Sequence, residues 1–368
     1  MQTNPVTLSG EEVLSKTINY LRLPLIILVV LAHGSFSEIT LEGGNLVISV
    51  ADMPIYSNVT YLIFWIFASS AVPLFYTFSG FLFFYKVKDF NKNVYFKKLK
   101  KRVDTLLVPY VFWNLLVLLF FYLLQTFFPS MTSGDIKPIA EYSALDWLNS
   151  LWSIHGGQFP MCYQLWFIRD LIVIVIFSPI IYLLVKYGKV LTLLVTGSLW
   201  ILNLCPVAPG FNMLTITFFT FGAYLSINKI NFVVWAESLL KYWVVVYLGF
   251  IIVLMFNQYT SWSYDVINAS AYFGVFLMIG AAAFFMRKGV IKENMFFANS
   301  SFFVYAYHGL FLAFITKVLV FVLRPNTDFK VLALYFLCVI TTVGVGIAIY
   351  WLLNKLLPRF TGIITGNR

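Results

Sequence analysis

Arg22 and His33 stand eleven residues apart in one apolar run, TINYLRLPLIILVVLAHG. Read as a helix, eleven steps of 100° make three turns plus about 20°, so the two side chains share a face and are separated by about 16 Å of rise. A guanidinium is a permanent cation shaped to hold phosphate, and a neutral imidazole is the commonest general base near neutral pH. Ionisable groups inside an apolar span point to function because burying them without purpose is expensive. The competing reading of His33, a packing histidine with both nitrogens satisfied, stands level with the functional one on position alone.

Other residues have weaker chemical signals. Ser79-Gly80 lies inside the apolar stretch VPLFYTFSGFLFF at 72–84. It lacks the strand-turn-helix setting of a hydrolase nucleophile, and small residues there serve close helix packing. The segment FKKLKKRVDTLLVPY at 96–110 gathers Lys97, Lys98, Lys100, Lys101 and Arg102 within two turns. Such a cluster either binds phosphate or only fixes topology. Arg169 and Asp170 are adjacent near one end of another apolar stretch, where an ion pair with each other or with Glu38 is the simpler reading. His308 falls near the middle of a late apolar stretch, and His155 sits beside Gly156 and Gly157 in a polar segment. No His, Cys or carboxylate set has metal-ligand spacing, so a metal is not expected. Cys162, Cys205 and Cys338 form no CxxC pair; Cys162 and Cys205 both fall near the outer face, which permits a disulfide.

These groups need apolar elements to position them, and the composition supplies little else. Of 368 residues only 11% are charged and 61% are hydrophobic, with a mean hydropathy of +0.86. Soluble domains carry about 25% charged residues. Disordered, collagen-like, disulfide-scaffold and soluble-enzyme classes are excluded, leaving an all-α polytopic membrane protein. Stretches long enough to cross about 30 Å of hydrocarbon fall near 18–36, 59–85, 105–128, 164–185, 189–205, 211–228, 240–257, 266–286, 298–323 and 329–357, which predicts about ten spans. The expected division is a cytoplasmic segment at 1–17, a transmembrane domain at 18–357 and a cytoplasmic tail at 358–368, with no soluble domain or internal repeat. With both termini in the cytoplasm, 20 of the 25 Lys and Arg residues lie on that side, eight of them in 86–104. The net charge of +10 is thus distributed by membrane side and argues against a nucleic-acid partner. The first residues, MQTNPVTLSGEEVLSK, lack a basic start and a small-residue cleavage site, so the first apolar segment reads as a retained span.

The chain resembles the membrane acyltransferase type 3 family. The resemblance rests on Arg22 and His33 with ten residues between them, Ser79-Gly80-Phe81, the basic segment before Pro109, Gln164-Leu165-Trp166-Phe167-Ile168 followed by Ser178-Pro179, and Tyr305-Ala306-Tyr307-His308-Gly309. These motifs come in family order from the first span nearly to the last. One position departs: family members often carry two arginines three apart before the proline, and here Arg102 is followed by Thr105. The resemblance implies an O-acyltransferase, in the first place an O-acetyltransferase, in the cell inner (cytoplasmic) membrane. It would move an acyl group from cytosolic acetyl-CoA to a hydroxyl of a surface or secreted carbohydrate. Acyl-CoA is then a donor substrate, and no bound cofactor is implied. Arg22, Arg102, Lys98 and Lys101 would hold the donor phosphates. His33 would be the base or a covalent acyl relay, and Ser79, Trp166, Arg169, Tyr305 and His308 are the tunnel-lining candidates. Some relatives carry a fused extracytoplasmic esterase-like domain; without one here, the chain acts alone or with a separate extracytoplasmic partner protein. Two other readings remain, a polytopic transporter of a glycan or small molecule and an acyltransferase for a small metabolite or peptide.

Overall fold

The computed structural model describes residues 8–36, 38–40, 47–49, 53–129, 137–153 and 157–367. His155 and the carboxyl-terminal Arg368 lie outside the described residues, as does the Glu38 side chain once considered for Arg169. A chain this apolar must satisfy its backbone polar groups internally, and helices do so within a single segment. The order is α1 (Gly10–Gly34), a short antiparallel pair β1 (Glu38–Thr40) and β2 (Val47–Ser49), then α2 (Pro54–Tyr61) running through residues 62–70 into α3 (Ala71–Phe84). Next come α4 (Lys92–Arg102), continuing into α5 (Val108–Phe127), then α6 (Ala144–Trp152), α7 (Trp166–Ile176), α8 (Ser178–Leu183), α9 (Lys189–Ile201) and α10 (Met213–Ile227). The chain finishes with α11 (Phe232–Ser238), α12 (Leu240–Phe256), α13 (Ser263–Arg287), α14 (Met295–Leu323), α15 (Asp328–Leu356) and α16 (Pro358–Thr365).

The all-α expectation holds, but the ten expected spans do not appear as ten full-length crossings. Seven helical runs among the described residues are long and apolar enough to cross a membrane, eight if α11 and α12, bent by 74°, count as one. The difference has a geometric reason. The eleven residues of α7 and fifteen of α10 rise only about 16 Å and 22 Å, short of ~30 Å of hydrocarbon. The separate stretches 164–185 and 189–205 are re-divided: a break at Phe177 ends α7, and 178–201 forms one helical run with Lys189 at φ 46° and ψ −128° inside it.

Ser9 starts α1 earlier than hydropathy alone indicates. Its hydroxyl accepts the Glu12 N–H at 3.3 Å while the Glu12 carboxylate accepts the Ser9 N–H at 3.2 Å, a reciprocal cap. Wide helical turns at 62–67 and 103–107 precede Pro73 and Pro109. A proline ring crowds the carbonyl four residues earlier, and for Pro109 that residue, Thr105, lies in the widened turn.

Helix α1 is central, packing against α3, α11, α13, α14 and α15. Helices α3 and α10 approach backbone to backbone: a Cβ on Gly80 would lie 2.1 Å from the Phe219 carbonyl oxygen, and one on Gly222 2.0 Å from that of Thr77. Gly80 thus belongs to a helix crossing. Outward faces are apolar, with Leu115, Leu119, Phe120 and Leu123 exposed on α5 and Val245, Leu248, Ile252 and Phe256 on α12. Such stripes suit lipid contact and would be a liability in water.

Polar contacts sort the helix ends into two groups. At one end Arg287 bonds Glu237 at 2.8 Å and the Leu8 carbonyl at 3.0 Å, Lys86 meets Glu11 at 3.5 Å, and Asn231 donates to the Gly10 carbonyl. At the opposite end of α1 the Tyr56 hydroxyl accepts the Phe36 N–H at 2.9 Å. There the Asp328 carboxylate accepts the first free amides of α2, those of Ile55 and Tyr56, at 2.8 and 2.7 Å.

Candidate functional site

The face of α1 defined by Arg22 and His33 includes Ile26 and Val29, at spacings of four, three and four residues. Ile26, Val29 and His33 line a cavity of about 110 Å³ whose other walls come from residues 68–75, 164–168 and α14. His33 is exposed, in the last turn of α1, and is among the residues that line the cavity. Its Nδ1 lies 2.8 Å from the Val29 carbonyl one turn back. A carbonyl can only accept, so Nδ1 carries the proton and, in the neutral ring, Nε2 keeps its lone pair. That is the state a general base requires.

Two rings hold this imidazole. Tyr163 lies against it with centroids 5.5 Å apart, and His308 meets it edge-on at 5.2 Å and 66°. His308 is fully buried, and its Nδ1 lies 2.6 Å from the Tyr305 carbonyl.

The far wall is a strap, residues 157–168, folded over α14. Gln164 donates to the Ala306 carbonyl at 2.8 Å, and the Tyr305 hydroxyl donates to the Gln164 carbonyl. Gly309 leaves room for that amide; a Cβ there would sit 2.4 Å from Gln164 Oε1. The Cys162 N–H donates to Asn114 Oδ1 at 2.9 Å, tying the strap to α5. Arg169 anchors the rest. Buried and paired with Asp170 at 2.9 Å, it donates to the carbonyls of Trp152 at 2.7 Å and Gln158 at 2.9 Å, while Asp170 accepts the Gly210 N–H at 3.0 Å. These added hydrogen bonds are what make a buried pair tolerable.

Among the tunnel candidates, Trp166 and Tyr305 line the cavity with His33. Ser79 is half-buried on α3 and is not among the lining residues, Arg169 holds the strap, and His308 backs His33 without lining the space. The wall residues Ile26, Val29, Val72, Phe75 and Phe302, and Tyr163 beside His33, were missed from sequence. Only Ile26 and Val29 had a usable signal, their place on the Arg22–His33 face. All three cysteines are free, so Cys162 and Cys205 do not pair. Burial pushes the Cys162 thiol up, keeping it protonated.

Of the basic candidates, Lys98 and Arg102 converge on the Phe83 ring, at 5.3 and 5.7 Å from its centre. Lys101, on the same turn, is exposed. Arg22, Lys98 and Arg102 are half-buried, and among the described residues none forms an ion pair. Half-buried cations without counter-ions suit a bound anion.

Comparison with known proteins gives the family. The chain is 29% identical over 163 residues to the succinoglycan biosynthesis protein ExoH of Rhizobium meliloti (strain 1021), an alignment spanning 44% of this chain and 41% of that protein. No solved structure matches. A family model described as an acyltransferase domain matches residues 15–351, from the second turn of α1 through most of α15, and the chain belongs to this acyltransferase 3 family of membrane acyltransferases.

Proposed function

We propose that the protein transfers an acyl group, acetyl in the first place, from cytosolic acyl-CoA to a hydroxyl of an extracytoplasmic carbohydrate, with His33 as the base. The observation that carries this reading is His33 itself, its Nδ1 committed to Val29 and its Nε2 with no hydrogen-bond partner among the described residues, at a small cavity on the helix face that also bears Arg22, about 16 Å away and in no ion pair among those residues. Arg22, Lys98 and Arg102 hold the donor phosphates, and the uncharged pantetheine arm runs along the α1 face to the cavity.

In the reaction, Nε2 takes the proton of the acceptor hydroxyl as its oxygen bonds to the thioester carbonyl carbon. The tetrahedral intermediate collapses, the carbon–sulfur bond breaks, and the departing thiolate takes the proton back from the imidazolium. The cavity favours a small uncharged acyl group: among the described residues His33 is its sole titratable wall residue apart from the Tyr305 phenol, and apolar side chains form most of the rest. A free carboxylate on the acyl chain would find no cation there. The carbohydrate acceptor is supported by the polysaccharide named in the relative's description. A cytoplasmic side for residues 86–104 is supported by the eight basic residues gathered there.

Sealed proteoliposomes of known orientation test the reading. Acetyl-CoA should be consumed only when supplied to the face bearing residues 86–104, with acceptor needed on the other. Glycan flux without acetyl-CoA, and no thiol release in any arrangement, would make the protein a transporter.

A further inference from the structure

His308 has a buried polar atom that the scheme above leaves unused. Its Nδ1 is committed to the Tyr305 carbonyl, and by the argument made for His33 that nitrogen is the protonated one. Its Nε2 therefore holds a lone pair, and among the described residues this atom is buried with no hydrogen-bond partner. A buried acceptor left unpaired is a standing penalty that native structures avoid. The His33 ring meets the His308 ring edge-on, with centroids 5.2 Å apart, and no acidic residue pairs with either histidine among the described residues.

We infer that His308 is a positioning residue acting through His33, its free Nε2 lone pair stabilising the imidazolium that His33 becomes while it holds the acceptor's proton. The inference rests on His33 being the base. In the resting state both rings are neutral and the lone pair has little to meet. Once Nε2 of His33 binds a proton, positive charge spreads over the whole imidazolium, in an apolar setting where a nearby dipole is worth far more than in water. The hydrogen bond to Tyr305 keeps the His308 proton on Nδ1, so Nε2 offers a lone pair and not an N–H, which would repel the charge. Helix α14 thus supplies the part that a carboxylate often takes beside a catalytic histidine, without burying a negative charge in the membrane.

The test compares two substitutions with opposite expectations. His308→Phe keeps a ring against His33 and removes the lone pair; His308→Gln loses the ring and keeps a polar acceptor of similar reach. With acetyl-CoA as donor and a soluble glucose oligosaccharide as probe acceptor, His308→Phe should lower kcat about 10- to 100-fold and leave the acetyl-CoA KM within about twofold. His308→Gln should recover part of that loss. Rates are scored per acetyl-CoA-binding site, so incomplete folding does not alter the comparison. Activity of His308→Phe equal to or above that of His308→Gln would show that the ring only packs, and would overturn the inference. The base assignment fails separately, if His33→Ala turns over at the wild-type rate.

Discussion

Replacing Arg102 by Gln removes a half-buried cation with no carboxylate partner among the described residues, leaving its neighbours largely intact. The guanidinium lies over the Phe83 ring at 5.7 Å, and the Lys98 ammonium occupies the same ring at 5.3 Å. A hydrogen bond to a charged group contributes about 1.5–3 kcal/mol, which is about 10- to 150-fold in Kd. Lys98 stays in place and still faces the anion, so the loss should fall near the lower end, about 10-fold. Arg102→Lys should recover only part of it, because an ammonium keeps the charge and loses the planar fork. Lys101 is exposed, and its contribution should vanish at high salt while that of half-buried Arg102 persists. Calorimetric titration with CoA gives the affinity, and titration with pantetheine, which lacks the phosphates, is the control. Unchanged CoA affinity in Arg102→Gln, or an equal loss for pantetheine, would refute the phosphate assignment.

Three further outcomes follow from the packing. Gly80→Ala places a methyl 2.1 Å from a backbone oxygen that has no rotamer to escape into; it should lose about 3 kcal/mol, whereas Gly249→Ala, with nothing within 4 Å, should stay within about 1 kcal/mol of wild type. Equal unfolding midpoints for the two in denaturing detergent would contradict the close crossing of α3 and α10. Asp328→Ala removes the acceptor of two α2 amides and should destabilise by about 1–2 kcal/mol, with faster hydrogen exchange at Ile55 and Tyr56; unchanged exchange there would rule out the cap. Cys162→Ala should retain acyl transfer within about threefold, since burial keeps that thiol protonated; loss of activity together with an acyl group trapped on Cys162 of the wild type would make it a carrier.

The Arg22–His33 face was legible because helical spacing is arithmetic, and the cavity follows that face through Ile26 and Val29. Composition was enough to give the all-α membrane class. The number of full spans was not legible. Hydropathy cannot see that α7 stops at Phe177, a break inside apolar sequence, and the polar Lys186–Lys189 turn, which hydropathy does show, is bridged by one helical run in which Lys189 leaves helical geometry. The strap was equally hidden: Gln164 was visible as part of a motif, but its amide reaches Ala306, 142 residues away. Such contacts depend on how α14 packs against the strap, which local periodicity does not encode. Arg169 was readable as half of an ion pair, but not as the clamp that holds Trp152, Gln158 and, through Asp170, Gly210.

The most direct test of the account is the chemistry of His33. Purified wild type and His33→Ala are given labelled acetyl-CoA and cell-envelope glycans, and free thiol, label on glycan and donor affinity are measured together. The account predicts that His33→Ala binds acetyl-CoA within about threefold of wild type while thiol release and glycan labelling fall by about 100-fold or more. Near wild-type labelling by a folded, donor-binding His33→Ala protein would contradict it.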